Sequence, residues 1–193
     1  MKIQPIAADS LGTRSMATYV ATSDVKILID PSTSIAPDRY GLEPHLEEIK
    51  RWREHWKEIT EYASIAKIVI ITHYHYDHHY PKRTAIFKDK LILIKDPEVK
   101  INLNQKRRAA EFIEIVKSEA KSIEIADGKR FNFGNTRVEF SLPVFHGKTD
   151  RLGYVIEVVV EDKTKFLFTS DVQGPIHNDQ LEFIIKENPE VVY

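Results

Sequence analysis

Lys67–His79 reads KIVIITHYHYDHH. Its first six residues, Lys67 to Thr72, are dominated by β-branched side chains with no polar alternation, which predicts a central strand buried on both faces. Directly after it, four of the chain's eight histidines fall within seven positions: His73, His75, His78 and His79. Crowded neutral imidazoles gain little from one another, and protonated ones repel. An ion that several of them bind at once explains the crowding. In an extended segment, residues i, i+2 and i+4 share one face, so His73, His75 and Asp77 can converge. A turn after Asp77 would bring His78 to a neighbouring position. Two nitrogens can then serve one ion while a carboxylate and another nitrogen serve a second. The cluster sits where a buried strand leaves its sheet, a position that often carries the site in α/β architectures.

The rest of the chain narrows the chemistry. With 193 residues, 42% hydrophobic and 30% charged, it is sized for one domain, residues 1–193, with a core of its own. No Gly/Ser- or Pro-rich linker divides it, and no internal repeat is visible. Cysteine is absent, so disulfides and thiolate ligands are excluded, and any metal must be held by imidazole and carboxylate. The N-terminus, MKIQPIAADS, lacks the apolar region of a signal peptide, and no apolar run approaches the ~18 residues of a membrane span. The expectation is a cytoplasmic protein without a membrane partner. A formal net charge of −1 argues against nucleic acid as the main partner. Lys82-Arg83 and Lys106-Arg107-Arg108 read as solvated faces.

The pattern alternates strands and helices. KIQPIA, MATYVAT and VKILID near the start read as strands, with Ser23-Asp24 as a hairpin turn. Residues 31–41 read as a loop. From Glu43 to Ser64, Leu46, Ile49, Trp52, Trp56 and Ile59 recur at helical spacing in a charged background, which predicts an amphipathic helix. LILI (Leu91–Ile94) reads as a strand, and Asn104 to Ser118 as a helix through Ala109, Phe112, Ile113 and Val116. SIEIA, RFNF, TRVEFSL, YVIEVVV and KFLFTS then read as strands, with Asp127-Gly128 and Gly134-Asn135 as turns. Gln180–Lys186 reads as a short helix, and Glu190–Tyr193 begins another strand. The fold class is α/β with layered sheets.

HxHxDH at 73–78 resembles the metal signature of the metallo-β-lactamase superfamily, and further motifs follow in that family's order. Asp30 ends the strand in KILIDP, His146 lies in LPVFHGKTD ahead of a glycine, and Asp171 ends FLFTSD before VQGP. AADSLGTRSMATYV and TSDVQGP look like an uncharacterised archaeal branch of the superfamily. The resemblance covers roughly residues 1–193 and implies an αββα sandwich. By position it makes His73, His75 and His146 ligands of a first metal, Asp77 and His78 ligands of a second, and Asp171 a bridge between them. Asp77 and Asp171 would then also serve catalysis. Asp30 would orient ligands from behind, and His79 would act as an outer hydrogen-bond donor or pack beneath the loop. Zn²⁺ at two sites suits this donor set, with Mn²⁺ or Fe as alternatives. His75, standing where a glutamate would mark di-iron chemistry, favours hydrolytic zinc. Ser10, Gly12, Arg14 and Ser15 fall on a loop that in this fold lines the active site, or form a turn in which glycine supplies backbone freedom. His45, His55 and His177 read as ordinary surface or helix histidines.

The family's fifth motif, a late histidine for the second metal, has no match. The chain stops 22 residues after Asp171, so the second half of the sandwich is expected to be incomplete, truncated at the C-terminus. Another chain, a second copy or His177 would have to supply what is missing. The function implied is a metal-dependent hydrolase that turns a metal-activated water on an ester, lactone or phosphodiester of a small-molecule substrate. The alternatives are a nuclease of the same fold and a metal-binding fragment or sensor without turnover. The interval between His146 and Asp171 leaves no room for an inserted nucleic-acid clamp.

Overall fold

The structure is a computed structural model that describes residues 1–36 and 39–193; the predicted loop at 31–41 therefore falls partly outside the described residues, at 37–38. The first sheet is built from β1 (Lys2–Pro5), β2 (Thr18–Ala21), β3 (Lys26–Ile29), β4 (Ile68–Ile71), β5 (Leu91–Ile94) and β6 (Ser122–Ile125), in that spatial order. β1 to β3 pair antiparallel, and β3 to β6 pair parallel. The helix α1 (Leu46–Ile65) makes the crossover from β3 to β4 and α2 (Leu103–Val116) that from β5 to β6, while residues 72–90, which carry the histidine cluster, cross from β4 to β5 without an α-helix. The second sheet contains β7 (Arg130–Phe133), β8 (Thr136–Phe140), β11 (Val158–Glu161), β12 (Lys165–Phe168) and β13 (Val191–Val192), in the order β13-β12-β11-β8-β7. It is antiparallel except for β12 with β13. A small ribbon, β9 (Val144–Phe145) with β10 (Tyr154–Val155), stands apart, and α3 spans Asp179–Glu187.

Alternation along the strands sorts the core into layers. From β3, β4 and β5, Ile27, Ile29, Ile68, Ile70 and Leu93 point to a shared interior with Val138, Phe140, Val158, Val160, Phe166 and Phe168 of the other sheet. On the first sheet's outer face, Leu28, Val69, Ile71, Ile92 and Ile94 pack against Trp56, Ile59 and Ala63 of α1 and Ala109, Phe112 and Val116 of α2. Val159 and Leu167 face Phe183 of α3 on the outer side of the second sheet. Helices, sheet, sheet and helix make the expected four layers of an αββα sandwich. Arg137 of β8 pins α3 down through Glu187, at 2.8 Å.

Two predicted elements changed. YVIEVVV, expected as one strand, breaks at Ile156-Glu157, and its halves pair with different partners. Burial leaves a run that is apolar from Val155 to Val160 except for the buried Glu157, with no period to mark such a break. The helix foreseen from Glu43 starts at Leu46, because His45 caps it by accepting the Glu47 amide on its side chain. Leu46, placed by spacing on the apolar face, lies in that first turn and is 78% exposed. Among the described residues no helix is long and apolar enough to cross a membrane.

Candidate metal centre

Every candidate ligand sits just beyond the end of a strand. β4 delivers the histidine cluster, β9 delivers His146 and β12 delivers Asp171, so the two sheets meet at this point. The extended stretch after β4 is shorter than the spacing suggested. It ends at His75, and a turn covers Tyr76 to His78, closed by the His78 and His79 amides donating to the His75 carbonyl at 2.9 and 3.1 Å. Asp77 therefore reaches the site from a turn, and the predicted turn comes two residues early.

The side chains converge. His73 Nε2 and His75 Nδ1 lie 3.1 Å apart, and the His75 and His146 ring centroids 5.0 Å apart. Asp171 Oδ2 lies 3.2 Å from His146 Nε2 and 3.9 Å from His73 Nε2, while its other oxygen, Oδ1, lies 3.1 Å from His78 Nε2. Among the described residues three groups of donor atoms result, each with all its atoms within 4.8 Å of one another: His73, His75, His146 and Asp171; Asp77, His78 and Asp171; and, behind them, Asp30, His73 and His78. Four ligands bonded tetrahedrally at ~2.0–2.1 Å would stand about 3.3 Å apart; in the first group His73–His75 at 3.1 Å and His146–Asp171 at 3.2 Å are close to that spacing, and His73–Asp171 at 3.9 Å is wider. Imidazole and carboxylate donors gathered in this way, His73 and His146 buried and His75 and Asp171 half-buried, could hold a metal ion.

Behind the donors lies a hydrogen-bonded scaffold. Asp30, wholly buried, accepts from the Thr72 amide at 2.8 Å and the Thr72 hydroxyl at 2.5 Å, and faces His78 Nδ1 at 2.9 Å. That arrangement makes His78 Nδ1 the donor to Asp30 and turns Nε2 towards Asp171. The Thr72 hydroxyl also meets Ser170 Oγ at 2.6 Å and His73 Nδ1 at 3.2 Å, which turns His73 Nε2 towards the cluster. Asp30 and Ser170 both adopt positive φ, 46° and 55°, a conformation disfavoured for residues with a Cβ and held here by these bonds.

Burial and neighbouring charge set the protonation states. Burial, reinforced by His78, holds His73 well below the usual histidine value. Burial and the nearby His146 bring His75 down to about 4. Neutral imidazoles are what a metal needs. His78 goes the other way: burial opposes its charge, but Asp171 and Asp30 outweigh that and raise it well above the usual value. Burial would raise Asp171, yet His78 and His146 hold it below the ordinary carboxylate range.

The remaining candidates separate cleanly. His79 belongs to none of the donor groups. Its Nδ1 donates to the His75 carbonyl at 3.0 Å, its ring packs among Tyr74, Tyr76 and Phe112, and burial lowers it to about 3. His177 bonds the Lys148 carbonyl at 2.9 Å and is in no donor group either. His55, read as an ordinary helix histidine, is buried and shares a 2.7 Å bond with Thr13. From the early loop, Ser15 is structural, bonding the Ser32 carbonyl at 2.6 Å, whereas Arg14 reaches Asp77 Oδ2 at 3.0 Å. Thr72 and Ser170 were not singled out by sequence reasoning. Their contact spans 98 positions, and only their places beside His73 and Asp171 hint at it.

The Beta-lactamase superfamily domain profile matches residues 25–184. A UPF0282 protein of Korarchaeum cryptofilum is 49% identical over the whole of this chain, which spans 65% of that relative, just under two thirds. A UPF0282 protein of Methanocaldococcus jannaschii is 48% identical, with 100% of this chain and 70% of the relative covered. Among solved structures, a possible metal-dependent hydrolase from Veillonella parvula superposes with a TM-score of 0.60 at 13% identity, covering 98% of this chain and 68% of that one. An isothiocyanate hydrolase from Delia radicum gut bacteria does so with a TM-score of 0.60 at 18% identity, covering 94% and 69%. At such identities these two show a shared fold. Profile, relatives and fold agree that this chain belongs to the β-lactamase superfamily and, within it, to the archaeal UPF0282 family.

Proposed function

We propose that the protein is a two-metal hydrolase, with zinc as the ion that suits its donors. The Asp171 carboxylate carries this reading: its two oxygens face different imidazole sets, Oδ2 towards His146 and His73 and Oδ1 towards His78, the disposition of a bridging ligand. His73, His75 and His146 would hold the first ion, and Asp77 and His78 the second. When bound, such ions supply Lewis acidity and lower the pKa of water from about 15.7 towards about 7. The chain's own residues prepare the site for that chemistry. Burial keeps His73 and His75 neutral, Asp30 fixes the His78 tautomer, and the anionic Asp171 stands ready to orient a water between the two donor groups. Substrates in keeping with this site are esters, lactones and phosphodiesters, and the solved hydrolases that share the fold lend support.

Purified protein should retain zinc, and His75→Ala and His146→Ala should each lower its stoichiometry and abolish turnover on an ester, lactone and phosphodiester panel. Wild-type metal content in both variants would sink the ligand assignment. A fully metal-loaded protein inert across the panel would sink the hydrolase reading.

A further inference from the structure

Beside the candidate ligands His75 and Asp77 the surface opens into a cleft of ≈ 410 Å³, walled by Arg14, Ser34, Ile35, Tyr76, Arg108 and Leu152. Ser34, Ile35 and Tyr76 also border a second cleft of ≈ 320 Å³, whose far walls include Trp52, Trp56, Tyr80 and Arg83. The two are adjoining chambers of one groove. It begins at the donor cluster and ends among aromatic rings.

The near chamber offers positive charge. Arg14 Nη2 lies 3.0 Å from Asp77 Oδ2 with its side chain 41% exposed, and the Arg108 guanidinium lies 4.5 Å from the centre of the Tyr76 ring. Arg39, Arg51, Arg130 and Arg137 each have a carboxylate partner. Among the described residues Arg108 has none, although it is half-buried, whereas the other unpaired arginines are exposed to solvent. Arg108 Nη1 donates to the Tyr74 carbonyl at 3.5 Å, and a partly desolvated cation with no carboxylate paired to it has its charge to give to a ligand. The far chamber offers flat faces. Trp52 is fixed by its Nε1 donating to the Thr33 carbonyl at 3.2 Å, Trp56 and Tyr80 stand 6.0 Å apart, and Arg83 covers Trp56 at 4.0 Å. Tyr76 and Tyr80 each stay 38% exposed. Trp56 is buried beneath Arg83 and backs the chamber, while the partly open rings of Trp52, Tyr76 and Tyr80 can take a planar group by stacking.

We propose that the substrate is a small phosphodiester of a ring-bearing alcohol, its phosphoryl group between Arg14 and Arg108 and its planar ring in the aromatic chamber. This deepens, and rests on, the hydrolase reading above. Hydrolysis forms a bond from the water oxygen to phosphorus as the bond from phosphorus to the second alcohol's oxygen breaks, and a water proton ends on that leaving oxygen, so the phosphoryl group stays on the ring-bearing alcohol. A neutral ester or lactone would leave Arg108 unanswered.

Trp52 and Trp56 are the chain's two tryptophans, so tryptophan emission reports on the aromatic chamber alone. Titration of the full chain with adenosine 5′-monophosphate, a product of such a diester, should change that emission saturably. It should bind about tenfold tighter than adenosine or inorganic phosphate. Arg108→Ala should weaken the nucleotide about tenfold and leave adenosine unchanged, which also shows that the variant is folded. Arg108→Lys should fall between the two. Equal affinity for adenosine and its monophosphate, no emission change, or an unaltered Arg108→Ala would overturn the proposal. Metal content and turnover of a neutral aryl ester, measured in parallel, separate the two readings. Neutral-ester turnover without nucleotide binding removes the phosphodiester proposal and keeps the hydrolase, while a chain that retains no metal removes the hydrolase itself.

Discussion

At the scale of single residues, the structure puts unusual weight on Thr72. Its hydroxyl serves Asp30, Ser170 and His73 together, so Thr72→Val, of nearly the same shape, strips three polar partners at once. We expect a loss of about 1–3 kcal/mol in folding stability and a fall in metal affinity of about 10–100-fold, read by denaturant titration and competition with a chelating dye. Unchanged affinity would make the hydroxyl a packing group only. Glu157 is a second such residue. Both its oxygens are buried without a partner, and burial, with Asp179 nearby, pushes its carboxyl up to about 8. The folded state thus holds this proton more tightly than the unfolded chain. Stability from this group is full below about pH 4.5, declines as pH rises, and levels off above about 8. Glu157→Gln should therefore match wild type near pH 4.5 and exceed it at pH 9 by roughly 2–4 kcal/mol, measured as the pH dependence of thermal unfolding. The candidate ligands were legible in sequence because each follows a strand and differs in chemistry from it. Thr72, Ser170 and Arg108 were not, since their partners lie across the fold, and Arg108 read as one more charge on a solvated helix.

At the scale of elements, strands were read more surely than their ends. β3, β4 and β5 are unmistakable because burial on both faces demands continuous apolar runs. The same property hid the break between β10 and β11, where only the buried Glu157 interrupts the run. Helix ends depended on capping side chains. Asn102 caps α2 by accepting the Gln105 amide at 2.9 Å, one position before the predicted region would place a cap. Asn102→Ala should cost about 1 kcal/mol, seen as a lower unfolding midpoint with an unchanged m-value. An unaltered midpoint would show that α2's packing holds the helix start without the Asn102 side chain, whose Nδ2 also donates to the Asp150 and Arg151 carbonyls. Elements also explain where charge went: Arg137, Glu139, Glu161 and Glu187 gather on the outer face of the second sheet, beyond the reach of any local pattern.

At the scale of the whole molecule, the four layers were foreseeable, because the family resemblance and the alternation of strands agree on them. If the proposed ions bind the folded state alone, zinc at a hundred times its dissociation constant should add about 2.7 kcal/mol. For a domain of this size that raises the unfolding midpoint by about 5–10 °C. Scanning calorimetry with zinc and with chelator tests it, and coincident curves would refute selective binding to the folded form. Both Asp171-centred donor groups draw on the two sheets: the 73–78 segment leaves one, and Asp171 leaves the other. Neither sheet alone can present either of these two sets, although Asp30, His73 and His78 gather at the end of the first sheet by itself. If the proposed ions bind these Asp171-centred sets, their capture during folding would wait for the sheets to dock, making metal uptake a clock for the last step of assembly and a lock on it once made.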